Sequence, residues 1–179
     1  LISAIDEVES GRADFGVGAT DIVYARGHGA PLVVLASIFQ HSAVAFFAPA
    51  DARMRSPADL AELRVSRRLG DMVDVEFQAM LLAEGIDPGT ITPYPFDQSQ
   101  GYLAGMQNGI VDVVPGYLIG TPHEARELGI PLTAIRPIDY GVDFYGDSLF
   151  TTETMVRRKP GIVEAFTDAS LRGWEYALN

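Results

Sequence analysis

The chain has 179 residues, 47% hydrophobic and 21% charged, with a formal net charge of −11 and no cysteine. So acidic a balance argues against sequence-independent binding to nucleic acid, which needs Lys and Arg to neutralise phosphates, and against docking on an anionic membrane surface. The absence of cysteine removes disulfides, thiolate nucleophiles and cysteine-based metal sites, and no apolar run reaches the roughly 20 residues that a membrane-spanning helix needs.

The opening LISAIDEVES carries no signal-peptide pattern and reads as the middle of a helix, as though the chain began inside a longer protein. Ile2, Ile5 and Val8 share one helical face, and Gly11 is placed to end it. ADFGVGAT follows as a short strand ending in glycines, and DIVYARGHG as a short helix closed by Gly27 or Gly29. PLVVLASIF and VAFFAPA are continuous apolar runs of strand length, the pattern of strands covered on both faces. The first third therefore alternates helix and strand, which predicts a parallel α/β sheet.

RSPADLAEL starts a helix, with Ser56 as N-cap, Pro57 at the first helical position and Asp59 in the first turn. RVSRRLGD reads as a short strand running into a turn. The next helix places Phe77, Met80 and Leu81 on one face and stops at Gly85. Two prolines keep ITPYPF extended. Then come a helix ending at Gly109, the strand VDVVPGY, a helix with Thr121 as N-cap and Pro122 at its first position, and the strand PLTAIRPIDYG. SLFTTETMVRRKP gives a strand and a short acid-capped helix. The closing helix sets Ile162, Phe166, Ala169 and Gly173 on one stripe, with Val163, Ser170 and Trp174 beside it, as a core-facing helix would.

This layout predicts two lobes: residues 1–45 with 146–179, and residues 46–145. Two crossings join them, near Ser42–Pro49 and Ile138–Ser148. In the second crossing, YGVDFYGDSLF, strand alternation would put Asp143 and Tyr145 on one face and Phe144 on the other.

Polar residues at strand ends are the candidates for ligand contact, because ligands in open α/β sheets settle outside the carboxyl ends of strands. In DFGVGATD, Thr20 and Asp21 are placed to face a ligand, to cap their helix, or to do both. The third glycine and the following acidic residue of a dinucleotide fingerprint are missing, which excludes NAD. Gln40, His41 and Ser42 follow an apolar strand, as ligand donors or as a solvated turn. No G-x-S-x-G accompanies His41, and His28, His41 and His123 lack metal-site spacing. Arg67 and Arg68 precede a turn at Gly70, where they would clamp an acidic group or remain on the surface. Tyr117 ends a strand, as a stacking platform or as packing. Asp97, Asp139, Asp143 and Asp147 show no spacing that fixes a catalytic pair.

With these segments in place, the chain resembles the periplasmic solute-binding proteins of the nitrate/sulfonate/taurine and thiamine-pyrimidine-precursor group. The resemblance runs along the chain, through VESGRADFGVGATDIVYARGHGAPLVVLASIFQHSAVAFFA, RSPADLAELRV, MLLAEGIDP, MQNGIVDVVPGY, RELGIPLTAIRPIDYGVDFYGDSLFTT and GWEYAL. It implies an α/β class II periplasmic-binding-protein fold of two Rossmann-like lobes, a small ligand held in the cleft, hinge closure and no catalysis; no cofactor or metal is expected. It places ligand contacts at Thr20, Asp21, Gln40, His41, Arg67, Gly70, Tyr117, Asp143 and Tyr145. It implies a bacterial, extracytoplasmic location, with a small polar metabolite and an ABC permease as partners and the membrane reached only through that partner. The QHS and DYGVDFYGD variants resemble a subgroup linked to signalling modules, so a ligand-sensing domain is the alternative, with a pyrimidine biosynthetic enzyme behind it.

Three departures qualify the resemblance. Gly120, Thr121 and Pro122 stand where the family often has Asn-Glu-Pro, removing one carboxylate; Glu124 lies one turn later as a substitute. The cysteine-rich motif of the synthase relatives is absent. The family's first strand and helix, which precede VESGRADFG, are also missing.

Overall fold

The computed structural model describes residues 3–69, 72–94 and 101–178. The predicted positions Gly70 and Asp97, and the ends of the expected segments at Ile2, Pro95 and Phe96, lie outside that range. The chain divides into two compact units, residues 1–42 with 144–179 and residues 43–143.

The first unit contains α1 (Ala4–Glu9), β1 (Gly16–Gly18), α2 (Asp21–Gly27), β2 (Leu32–Ser37), β6 (Ser148–Thr152), α6 (Glu153–Arg158) and α7 (Pro160–Leu178). Its sheet has the order β1-β6-β2. The connection from β1 through α2 to β2 is the expected α/β turn, but the two strands are not neighbours. The returning strand β6 sits between them and runs antiparallel to both. A parallel sheet was expected; alternation along the chain does not reveal a strand inserted from a distant segment. Val8, Ile22, Leu32 and Phe150 form the core of this unit. Gly16 is there for packing: a Cβ at that position would lie 2.6 Å from the Phe150 ring.

The second unit contains β3 (Val44–Pro49), α3 (Met72–Ala83), α4 (Tyr102–Gln107), β4 (Val114–Tyr117), α5 (Thr121–Glu127) and β5 (Leu132–Ile135). Its order is β4-β3-β5, again with a central strand antiparallel to both neighbours. Successive side chains of a strand point to opposite faces. Val44, Phe46 and Ala48 accordingly join one cluster with Phe77, Met80 and Leu81 of α3, while Ala45 and Phe47 join another with Leu103, Met106 and Ala125. Both faces of β3 are covered, as its apolar run predicts.

Several local expectations change. Residues 57–62 form a 3-10 helix, entered with the Asp59 carboxylate accepting from the backbone N–H groups of Arg55 (2.8 Å) and Ser56 (2.9 Å). The expected strand at RVSRRLGD reduces to a single parallel bridge between Val65 and Val113. Arg64 fixes that bridge from the side. Its backbone N–H and Nε donate to Asp112 Oδ2 at 2.8 and 2.9 Å, its Nη2 to Oδ1 at 2.6 Å and its Nη1 to the Gly109 carbonyl at 2.6 Å. These bonds hold the Asp112 carboxyl below the usual carboxylate range.

The closing helix α7 is less buried than its stripe suggests: among its residues only Val163 is buried. Phe166 and Trp174 are instead partly covered by ring contacts, Phe166 stacked on Phe15 at 4.1 Å and Trp174 edge-on to Phe39 at 5.5 Å. β2 also differs from expectation. Leu32 is its one buried residue, and Val34 is 47% exposed, because β2 is an edge strand. Residues 142–147 belong to no strand, so strand alternation does not fix their faces. Gly141 turns the chain into this segment at φ +79°, a conformation that other residues rarely adopt.

Candidate ligand site

The second unit holds a cavity of about 600 Å³. Two strand-to-helix passages form its walls. One carries Ser66, Arg67 and Arg68 after the Val65 bridge, with Val73, Asp74 and Phe77 of α3; the other carries Pro115, Gly116 and Tyr117 of β4, with Thr121 and Glu124 of α5. Phe46 of β3 and Tyr102 of α4 also line it. Strand ends leave side chains and backbone groups directed at the gap before the following helix, which is where α/β proteins seat ligands.

Within this wall Arg67 has defined protein partners. Its Nε donates to Asp74 Oδ1 at 2.8 Å and its Nη1 to the Ile91 carbonyl at 2.5 Å, while its guanidinium carbon lies 4.6 Å from the centre of the Phe77 ring. Gln78 Nε2 donates to the other Asp74 oxygen at 2.7 Å. The side chains of Arg67 and Asp74 are only 4% and 1% exposed. A charge so deeply placed has to be paired, and the pairing fixes both side chains in one geometry. Ser66 is buried beside them, and among the described residues its Oγ has no hydrogen-bond partner.

The opposite wall is set by a tight turn. Thr121 Oγ1 accepts from the backbone N–H of Tyr117 at 3.2 Å, so Thr121 bonds back to the strand end, and Gly120 takes the N-cap position expected for Thr121. A side chain at Gly116 would collide with that hydroxyl. Tyr117 is left 51% exposed at the strand end, and Glu124 is exposed one turn into α5.

A family model described as NMT1/THI5 like matches residues 2–179. The chain belongs to the NMT1/THI5-like family. It is 25% identical over 166 residues to the riboflavin-binding protein RibY of Chloroflexus aurantiacus, covering 92% of this chain and 46% of that protein. It is 28% identical over 162 residues to the formylaminopyrimidine-binding protein of Halalkalibacterium halodurans, covering 88% of this chain and 48% of that one. The chain thus spans about half the length of the curated relatives it matches. Its fold is similar to that of the periplasmic aliphatic sulphonate binding protein SsuA of Escherichia coli, with a TM-score of 0.70 at 16% identity, covering 97% of this chain and 57% of that one. The periplasmic-binding-protein fold expected from the sequence is therefore the fold of this chain.

In this NMT1/THI5-like chain the cavity brings together two of the sequence candidates, Arg67 and Tyr117. The other described candidates are not among its lining residues. Thr20 and Asp21 stand at the start of α2, where Asp21 Oδ1 accepts from the backbone N–H of Ala19 at 2.7 Å and of Ile22 at 3.1 Å. These bonds close the loop that leads into α2. Gln40 and His41 are exposed between β2 and β3. Asp143 is exposed at the end of the second unit, and Tyr145, 59% exposed, lies in the first. Asp139 pairs with Arg136, whose hydrogen bonds hold its carboxyl below the usual range. Among the described residues there is no cluster of three metal-capable side chains.

Sequence reasoning missed Ser66, Asp74, Phe46, Phe77, Tyr102 and Thr121 as lining residues. Ser66 was within reach, because it shares with Arg67 the position after a short extended segment. Phe46 and Phe77 read as core, and they are core as well as cavity wall.

Proposed function

We propose that this chain is the ligand-capturing part of a bacterial extracytoplasmic solute-binding protein, which takes up a small polar metabolite and delivers it to an ABC importer without catalysis. The observation that carries this reading is the cavity at the strand ends of the second unit. Its size suits a metabolite, and its lining is aromatic with a few fixed polar groups, the usual build of a small-molecule site. Family membership supports it, since curated relatives carry the names of binding proteins for riboflavin and formylaminopyrimidine. The proposed contacts in this unit are Arg67 and Tyr117, together with Ser66, Tyr102 and Glu124. No helix among the described residues is long and apolar enough to cross a membrane, which suits a protein that reaches the membrane through a permease.

The test is a thermal-shift and calorimetric screen of the protein against pyrimidines, flavins, sulfonates and carboxylates. The expected outcome is saturable binding to at least one class, with no turnover of the bound compound. Absence of binding across all four classes would contradict the proposal, and turnover that disappears in His41→Ala would replace it with an enzymatic one.

A further inference from the structure

The wall formed by β4 and α5 has a second edge, the one that faces away from β3. β4 pairs with β3 on one side, where the N–H just beyond the strand, that of Leu118, donates to the Ala43 carbonyl at 2.8 Å. Backbone groups of successive strand residues point to opposite edges. Positions 113, 115 and 117 therefore share the other edge, and each is accounted for. Val113 spends its N–H on the Val65 bridge, donating to the Arg64 carbonyl at 3.2 Å. Position 115 is a proline and has no N–H to offer. Tyr117 donates to Thr121 Oγ1 at 3.2 Å. The chain leaves the Val65 bridge into Ser66 and Arg67, so the later part of this edge, at Pro115 and Tyr117, borders the cavity.

The turn after Tyr117 gets little help from packing, since Leu118 is 38% and Ile119 70% exposed. It is held through the backbone of Tyr117 instead. The Tyr117 carbonyl accepts from the Gly120 N–H at 3.1 Å, while its N–H is taken by Thr121. Gly116 makes the second bond possible. A Cβ there would collide with Thr121 Oγ1 and lie 3.1 Å from a Phe47 ring carbon. Gly116 is not among the glycines at positive φ, so its missing side chain supplies room for the hydroxyl rather than backbone freedom.

We propose that Thr121 is a positioning residue for ligand capture, acting through Tyr117. Its hydroxyl, admitted by Gly116, takes the last backbone donor of the cavity-side edge and fixes the strand end that carries the half-exposed Tyr117 ring before a solute arrives. The inference rests on the solute-binding reading above and adds to it a device that lowers the ordering cost of binding.

Thr121→Val keeps the side-chain shape and removes the acceptor, whereas Thr121→Ser keeps the acceptor. Hydrogen exchange of the Tyr117 amide, followed by NMR, needs no solute. It should be about tenfold or more faster in Thr121→Val and close to the wild-type rate in Thr121→Ser. Equal rates in all three proteins overturn the proposal. Should Thr121→Val fail to fold, Gly116→Ala displaces the hydroxyl and should accelerate the same exchange; an unchanged rate there overturns it equally. Calorimetric titration with cytosine, riboflavin, methanesulfonate and succinate then reads the effect on capture. Whichever of these the wild type binds should bind about three- to tenfold more weakly to Thr121→Val, at a melting temperature within about 4 °C of the wild type, with affinity restored in Thr121→Ser. Faster exchange at unchanged affinity overturns the positioning role, and so does a loss of affinity that serine fails to restore; both leave the solute-binding reading standing. Binding of none of the four by the wild type overturns that reading and the positioning role with it.

Discussion

The two units are built on the same plan and finished differently. Each centres on one strand that runs antiparallel to both neighbours. In the second unit that strand, β3, is buried from Val44 to Ala48, with one cluster of side chains on each face. Among the described residues, the first unit has a core cluster of Val8, Ile22, Leu32 and Phe150 and leaves Val17, Val34, Val23 and Tyr24 exposed. Apolar burial is the main favourable term in folding and scales with the area removed from water. The second unit therefore has the larger buried core, and it is the one that carries the cavity. A cavity wall that doubles as core, as Phe46 and Phe77 do, holds its shape without a ligand.

The contrast can be broken or sharpened by substitution. The largest effect is expected from Phe47→Ala on the buried strand β3, a loss of about 3–5 kcal/mol in urea unfolding. Val34→Ala on the edge strand β2 should cost well under that, within about 1 kcal/mol, because its side chain is already half in water. Equal costs at the two positions would erase the distinction between the units. Next comes Gly16→Ala, which would force the Phe150 ring out of the small core of the first unit, at about 1–3 kcal/mol. A neutral result there would mean that this core is loose enough to absorb a methyl group.

The smallest effect is on the pH dependence. Asp112 has its folded pKa depressed by the hydrogen bonds of Arg64. Its contribution is present above the unfolded carboxylate pKa of about 4 and fades as the pH falls through the lower folded value. Between about pH 5 and pH 3, Asp112→Asn should therefore lose less stability than the wild type. Parallel pH profiles for the two proteins would show that the Arg64–Asp112 contact contributes nothing.

The same contrast shows how far the sequence could be read. PLVVLASIF and VAFFAPA are equally apolar runs, yet one became a half-exposed edge and the other a fully buried centre. Hydrophobicity marks a strand, but its place in the sheet depends on which distant segment pairs with it, and β6 enters its sheet from more than a hundred residues away. Helix positions were more legible, because stop signals such as Gly85 and Gly109 act locally and both adopt positive φ as expected. At the site, strand-end reasoning reached Arg67 and Tyr117. It missed Asp74, because a carboxylate in the first turn of a helix reads as dipole chemistry until the structure shows it facing Arg67. For α7, an amphipathic stripe proved only that one face is apolar, not that it is covered.

The central claim is that the cavity of the second unit holds the ligand. The most direct measurement compares Tyr117→Ala with the wild type, by calorimetric titration with whichever solute binds and by the melting temperature of the empty protein. Tyr117 lines the cavity yet is half exposed, so its loss should weaken binding by about tenfold or more while the melting temperature changes little. Unchanged affinity, with or without a change in stability, would contradict the claim.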